Sequence, residues 1–264
     1  MSRSRACGPV LLLLLAAPAA AQKGPPPIRD NSFLVEEAYN QEEGVVQHVG
    51  TWTFAERDWA FGFTQEWPVF GAHQLSITLP VNQVGDATGL GDAALHWRYQ
   101  VPGLEQLRTA IAPRVSLIFP TGDELRELGG GRNGIQVALP VSIDVAPGLV
   151  THTNLGVTRY SSASDPGFER AAGTDFNLGQ SVVALVHPRF NLLLEAVWTR
   201  QETGLADGPA HVESFLVSPG ARAAFDLPGE IQVVPGIAVP IGLGPSKGQR
   251  QVFFYLSVEH PFLR

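Results

Sequence analysis

The chain has 264 residues, of which 44% are hydrophobic and only 16% charged, with 28 glycines and 21 prolines. This hydrophobic content excludes intrinsic disorder, the charged fraction falls below the roughly 25% of ordinary soluble domains, and the glycine and proline load excludes long helical bundles. Setting aside Arg3 and Arg5 of the opening segment reduces 18 basic residues to 16 against 25 acidic ones, a net charge of −9 that excludes a nucleic-acid surface.

Residues 1–21 start with those two arginines, continue through five consecutive leucines and end on Ala19, Ala20 and Ala21. This is the pattern of a cleaved secretory signal peptide, because its apolar core is shorter than the ~20 residues of a membrane-spanning helix. Cys7, the single cysteine, falls inside this leader, so the mature chain is expected to carry neither thiol nor disulfide. Residues 22–44 form an N-terminal extension. Pro25, Pro26 and Pro27 favour an extended path, and the pattern predicts a short capped helix over residues 31–39. The extension reads as a tail, a lid or a plug.

From Val45 onward the apolar residues recur with period two, the strand period. After a first strand beginning at Val45, Trp59, Phe61, Phe63 and Trp67 share one parity, and Leu75, Ile77, Leu79 and Val81 follow. Next come Leu95, Trp97 and Tyr99, then Ile111, Val115, Leu117 and Phe119, then Ile135, Val137, Leu139 and Val141. Residues 149–160 alternate less cleanly. The pattern resumes with Phe176, Leu178 and Val182, with Phe190, Leu192, Leu194 and Trp198, and with Phe215 and Val217. Ile231, Val233 and Ile237 precede the last strand, which carries Val252, Phe254, Leu256, Val258 and Phe262. The count is about twelve.

A soluble β-sandwich also alternates, so three further features decide. The segments mostly run longer than the average strand of about 5–6 residues and match the roughly 9–11 of a tilted membrane-crossing strand. The non-apolar parity is rich in Ala, Gly, Ser and Thr with isolated charges, which suits an enclosed lumen. Connections alternate between short turns and longer loops at residues 82–88, 120–133, 161–173, 201–210 and 242–250. The expected fold is therefore all-β, an antiparallel transmembrane β-barrel over residues 45–264 in a bacterial outer membrane. Trp59, Trp67, Trp198 and Phe262 are expected in its interfacial girdles, against outer-membrane lipid. The final strand, with Phe262 near its end, is expected to be read by the barrel-assembly machinery.

Residues 129–134 satisfy G-x-G-x-x-G, but a strand follows rather than a helix, so they read as a flexible loop tip and not as a dinucleotide site. The seven histidines lack metal-ligand spacing, and neither a nucleophile elbow nor a phosphate loop is present, so no cofactor, metal or catalytic residue is expected. The candidate functional residues are the charges on the lumen parity: Glu66, Asp92, His96, Arg98, Arg114, Asp144, Glu195, Arg222 and Glu259. Either they pair across neighbouring strands and fill the barrel, or they line an aqueous path and select solutes.

Three short pieces carry a family resemblance. Gly89-Leu90-Gly91-Asp92 opens one strand, Phe119-Pro120-Thr121-Gly122-Asp123 ends the next, and Pro219-Gly220 is followed by a segment beginning at Gly236. In this order the chain resembles the MetA-pathway phenol-degradation family of outer-membrane proteins. The resemblance implies a transport barrel, and the family name points to hydrophobic or aromatic solutes. The expected function is a passive channel for small molecules. The alternatives are a structural or surface-interaction barrel with a filled lumen, whose loops 120–133 and 161–173 make the contacts, and in third place an outer-membrane lipid hydrolase.

Overall fold

The computed structural model of the chain describes residue 28 and residues 32–165, 168–205 and 208–262. The expected leader with Cys7, the three prolines of the extension, and Leu263 and Arg264 lie outside these. Twelve antiparallel strands form one closed ring: β1 (Val45–Ala55), β2 (Asp58–Pro68), β3 (His73–Val84), β4 (Ala93–Tyr99), β5 (Arg114–Phe119), β6 (Gly134–Ala146), β7 (Leu149–Tyr160), β8 (Gly173–His187), β9 (Phe190–Leu205), β10 (Gly208–Ala223), β11 (Ile231–Ala238) and β12 (Gln251–Pro261). Closure comes from β12 pairing with β1, from Val45↔Pro261 to Ala55↔Gln251. A closed ring leaves no sheet edge, which is what hydrocarbon demands of backbone donors and acceptors. Among the described residues, the helical elements are single 3₁₀ turns.

The alternation predicted from the sequence sets the two faces. Leu79, Leu95, Leu117, Val137, Leu155 and Leu192 point outward and are exposed. Their neighbours Ser76, Ser116, Asn154 and Asn191 point inward and are buried. This is the reverse of a soluble sandwich, and it is the arrangement of a barrel in lipid. Trp59 and Trp198 lie toward the long-loop end and Trp67 and Phe262 at the short-turn end. With an even number of strands, β1 enters and β12 leaves at the short-turn end, where Gly148 adopts φ 75° in the tight connection between β6 and β7.

Proline interrupts two strands because it has no N–H to donate. Thr109–Ile111 pairs with β6 before the break at Pro113, after which β5 pairs with both β4 and β6. Beyond Val239 and Pro240, Ile241–Gly242 resumes along β10, so the β10–β11 register is short, with Gly220↔Ala238, Ala221↔Ile237 and Arg222↔Gly236 paired before the interruption.

Two expectations are corrected. The described residues of 201–210 are not a loop: β9 and β10 stay paired to Leu205↔Gly208, so their backbone groups find partners across the two strands. No helix occupies the described residues of 31–39; they run as bends and extended chain inside the barrel, where the walls supply hydrogen-bond partners that a helix would have found within itself.

Candidate functional site: the lumen

Inward-facing polar side chains fill the wall, and Gln47, Glu66, Gln74, Arg98, Ser142, Ser181, Glu195 and Arg222 are all buried. A buried polar atom needs a partner. Here the partners come largely from residues 32–41, which cross the lumen without joining the sheet. The amides of Leu34 and Val35 both donate to Glu195 Oε1, at 2.9 and 3.0 Å. Glu36 N–H donates to Asn154 Oδ1 at 2.6 Å, while Asn154 Nδ2 donates back to the Glu36 carbonyl at 2.7 Å. Ala38 N–H donates to Ser142 Oγ, Asn40 N–H to Gln100 Oε1 and Gln41 N–H to Gln74 Oε1, at 2.7–2.8 Å. Wall side chains thus replace the sheet ladder that this backbone lacks.

Arg98 is the hub. Its guanidinium donates to Glu36 Oε1 at 3.0 Å, to Asn40 Oδ1 at 3.0 Å, and to the carbonyls of Glu37 and Tyr39 at 3.2 and 2.6 Å. Glu66 Oε2 lies 4.0 Å from Arg98 and accepts from Gln74 Nε2 at 2.7 Å. Arg114 holds the other oxygen of Glu36 at 2.6 Å and donates to Gln136 at 2.7 Å. A fork of fixed donors reads the geometry of a bent chain as well as its charge, which a lysine ammonium cannot do.

Residues 32–41 divide the lumen. On the long-loop side a cavity of about 290 Å³ is lined by residues 32–36 and by Thr64, Thr78, His96 and Gln136. On the short-turn side a cavity of about 680 Å³ is lined by Glu37 and residues 39–42 together with Gln100, Arg189 and Glu259.

Of the sequence candidates, Glu66, Arg98 and Arg114 gather around Glu36, and His96 stands on the wall above them, bonded to Thr78 and Ser116. Glu195 holds the crossing chain. Arg222 and Asp144 line a side cavity of about 90 Å³ near the short-turn end, with Tyr39 and His152. Glu259 accepts from Gln47 Nε2 at 3.0 Å. Asp92 stands apart from them, at the outer mouth. Sequence reasoning missed Glu36, in the extension, and the uncharged Asn154, Ser142, Gln74 and Gln100; inward parity marked the wall members, but only charge had been weighted.

At the outer mouth Asp92 accepts from Gly122 N–H at 3.0 Å and from Gly130 N–H at 2.7 Å. Thr121 Oγ1 donates to the Gly91 carbonyl and accepts from Ala93 N–H, and Asn82 Nδ2 donates to the Leu128 carbonyl. A Cβ on Gly122 would stand 2.7 Å from Gly129 Cα. Two of the segments that carry the family resemblance therefore build one clasp on loop 120–133. Gly129 and Gly130 belong to this clasp, which corrects the reading of a flexible tip. Arg132 ties the clasp to the next loop by donating to the Ala171 carbonyl at 2.8 Å.

The family model described as "Putative MetA-pathway of phenol degradation" matches residues 29–231, and the chain belongs to that family. No curated protein matches the chain. Among solved structures, an outer membrane channel from Pseudomonas putida F1 superposes with a TM-score of 0.66 at 14% identity, covering 85% of this chain and 98% of that one. The NanC porin gives 0.55 at 8% identity over 82% of this chain and 100% of its own, and the KdgM porin 0.52 at 13% over 82% and 99%. At such identities the likeness is one of fold, that of outer-membrane barrels.

Proposed function

We propose that the chain is a passive outer-membrane channel for small solutes, closed in this state by its own residues 32–41. One observation carries this reading: the wall side chains that would line an aqueous path bond a segment outside the sheet, with a cavity on either side of it. Each of those hydrogen bonds exchanges for one to water at a net cost of only about 0.5–1.5 kcal/mol. The segment can therefore leave while the barrel stays intact, and Glu66, Arg98, Arg114, Asn154 and Glu195 then line a continuous polar path that selects by charge and width.

Solutes move down their gradients, and no bond-making step is assigned to the chain. The reading includes removal of residues 1–21 on export and recognition of β12 by the assembly machinery. Liposome swelling in a small neutral sugar tests it. Vesicles holding a variant without residues 28–41 should swell several times faster than vesicles with the full chain at equal insertion. No swelling from either, with both shown to be closed barrels by their mobility shift on boiling, would assign the chain as a structural barrel.

A further inference from the structure

Arg98 on β4 and Arg114 on β5 face each other in register and point to the same, inner side of the wall. Like charges set directly opposite destabilise a sheet unless a counter-charge stands between them. Here the counter-charge comes from outside the sheet. A single carboxylate, that of Glu36, bridges the two guanidiniums, with Oε1 3.0 Å from Arg98 and Oε2 2.6 Å from Arg114. Among the described residues, the wall carboxylate within salt-bridge reach of either arginine is Glu66, which lies 4.0 Å from Arg98 and itself accepts from Gln74 at 2.7 Å.

Withdrawal of residues 32–41 takes most of this compensation away. Arg98 then loses Glu36, Asn40 Oδ1 and the carbonyls of Glu37 and Tyr39, while Arg114 keeps its bond to Gln136. Arg114 Nε is buried and without a partner even with Glu36 in place, so this guanidinium carries one donor more than the closed state uses. Neighbouring guanidiniums stripped of their acceptors attract an anion, and the spacing of this pair already fits the two oxygens of one carboxylate. The cavity of about 290 Å³ beside Glu36, lined also by Thr64, Thr78 and Gln136, leaves room for the rest of a small solute.

We propose that Arg98 and Arg114 form a binding site for the carboxylate of a small anionic solute, and that Glu36 occupies it as an internal stand-in while the channel is closed. The proposal rests on the channel reading and names the class of solute that the channel favours. The carboxylate takes the place of the Glu36 side chain, with one oxygen on each arginine. Because the solute binds only after Glu36 has left, it also shifts the chain toward the open state.

The test is the current carried in potassium chloride by the variant lacking residues 28–41 in planar bilayers, with lactate added and with uncharged lactamide as its control. Lactate should reduce the current saturably, and lactamide should leave it unchanged. Arg98→Gln and Arg114→Gln, each introduced into that variant and verified as a closed barrel by its shift on boiling, should raise the half-saturating lactate concentration at least about tenfold. If the shortened chain fails to fold, Glu36→Gln in the full chain frees the same two arginines and serves in its place. A lactate response of a conducting variant that is absent, matched by lactamide, or unchanged in both arginine variants overturns the site. Calorimetric titration of lactate into the same proteins in detergent separates the two readings. Arginine-dependent binding by a barrel that carries no current leaves the site standing and removes the channel reading, and current without arginine-dependent binding does the reverse.

Discussion

Arg98 Nη1 donates to Glu36 Oε1 at 3.0 Å, joining β4 to a segment that is not part of the sheet, and the Arg98 side chain is only 3% exposed there. Removing one member of a buried pair leaves the other charge uncompensated, a loss larger than the net worth of the pair itself. Glu36→Gln keeps the shape and removes the charge seen by both Arg98 and Arg114. It should raise the open fraction about ten- to a hundredfold, equivalent to about 1.4–2.8 kcal/mol, as read from single-channel records. An unchanged open fraction would show that the two arginines do not hold the segment.

Glu195 separates charge from hydrogen bonding. Its Oε1 accepts two amides of the segment, a geometry that a glutamine carbonyl retains. Glu195→Gln should therefore stay close to the parent in liposome swelling, and Glu195→Ala should swell severalfold faster. Equal behaviour of the two variants would contradict this assignment.

Gly236 and Phe33 should couple. Gly236→Ala places a methyl group where the ring lies, which displaces the segment and increases flux. In a Phe33→Ala background the same substitution should add almost nothing, since neighbouring changes that act on one contact are not additive. Additive effects would mean that the glycine acts elsewhere.

The clasp at the outer mouth acts on its loop and leaves the barrel alone. Asp92→Ala leaves the amides of Gly122 and Gly130 without their acceptor, so protease cleavage within residues 120–133 should become at least several times faster. The boiling shift should persist. Loss of that shift would make Asp92 a determinant of barrel closure.

At the short-turn end, the Arg189 guanidinium bonded to Asp226 holds that carboxyl below the usual carboxylate range, with help from Gln232. A carboxyl lowered by folding contributes stability above its unfolded pKa and loses it as pH falls through the lower folded value. The pair is exposed and screened by salt, so Asp226→Asn should leave the unfolding temperature at neutral pH almost unchanged. The small difference from the parent should vanish in strong acid. A large neutral-pH loss would assign the pair a structural role.

The period-two pattern revealed the barrel because Leu75, Ile77 and Leu79 face outward and the side chains between them face the lumen, a contrast repeated along most of the strands. Residues 201–210 read as a loop because Gly204, Gly208 and Pro209 carry turn propensity, which cross-strand pairing in the projecting hairpin overrides. The helix expected over 31–39 failed for a related reason: its backbone partners, Glu195, Asn154 and Ser142, lie far away in sequence. Parity placed Glu66, Arg98 and Arg114 on one wall, but nothing local in the sequence shows that Glu36 meets them. Asp92 matched the same parity, although at the start of its strand it reaches the mouth rather than the lumen.

The most direct measurement is the single-channel current of the full chain in planar bilayers, set against that of a variant lacking residues 28–41, with both proteins first shown to be closed barrels by their shift on boiling. The account predicts a mostly closed level with brief discrete openings for the full chain and sustained conductance for the variant. A silent bilayer with the inserted variant, at protein loads where porins conduct, would contradict it.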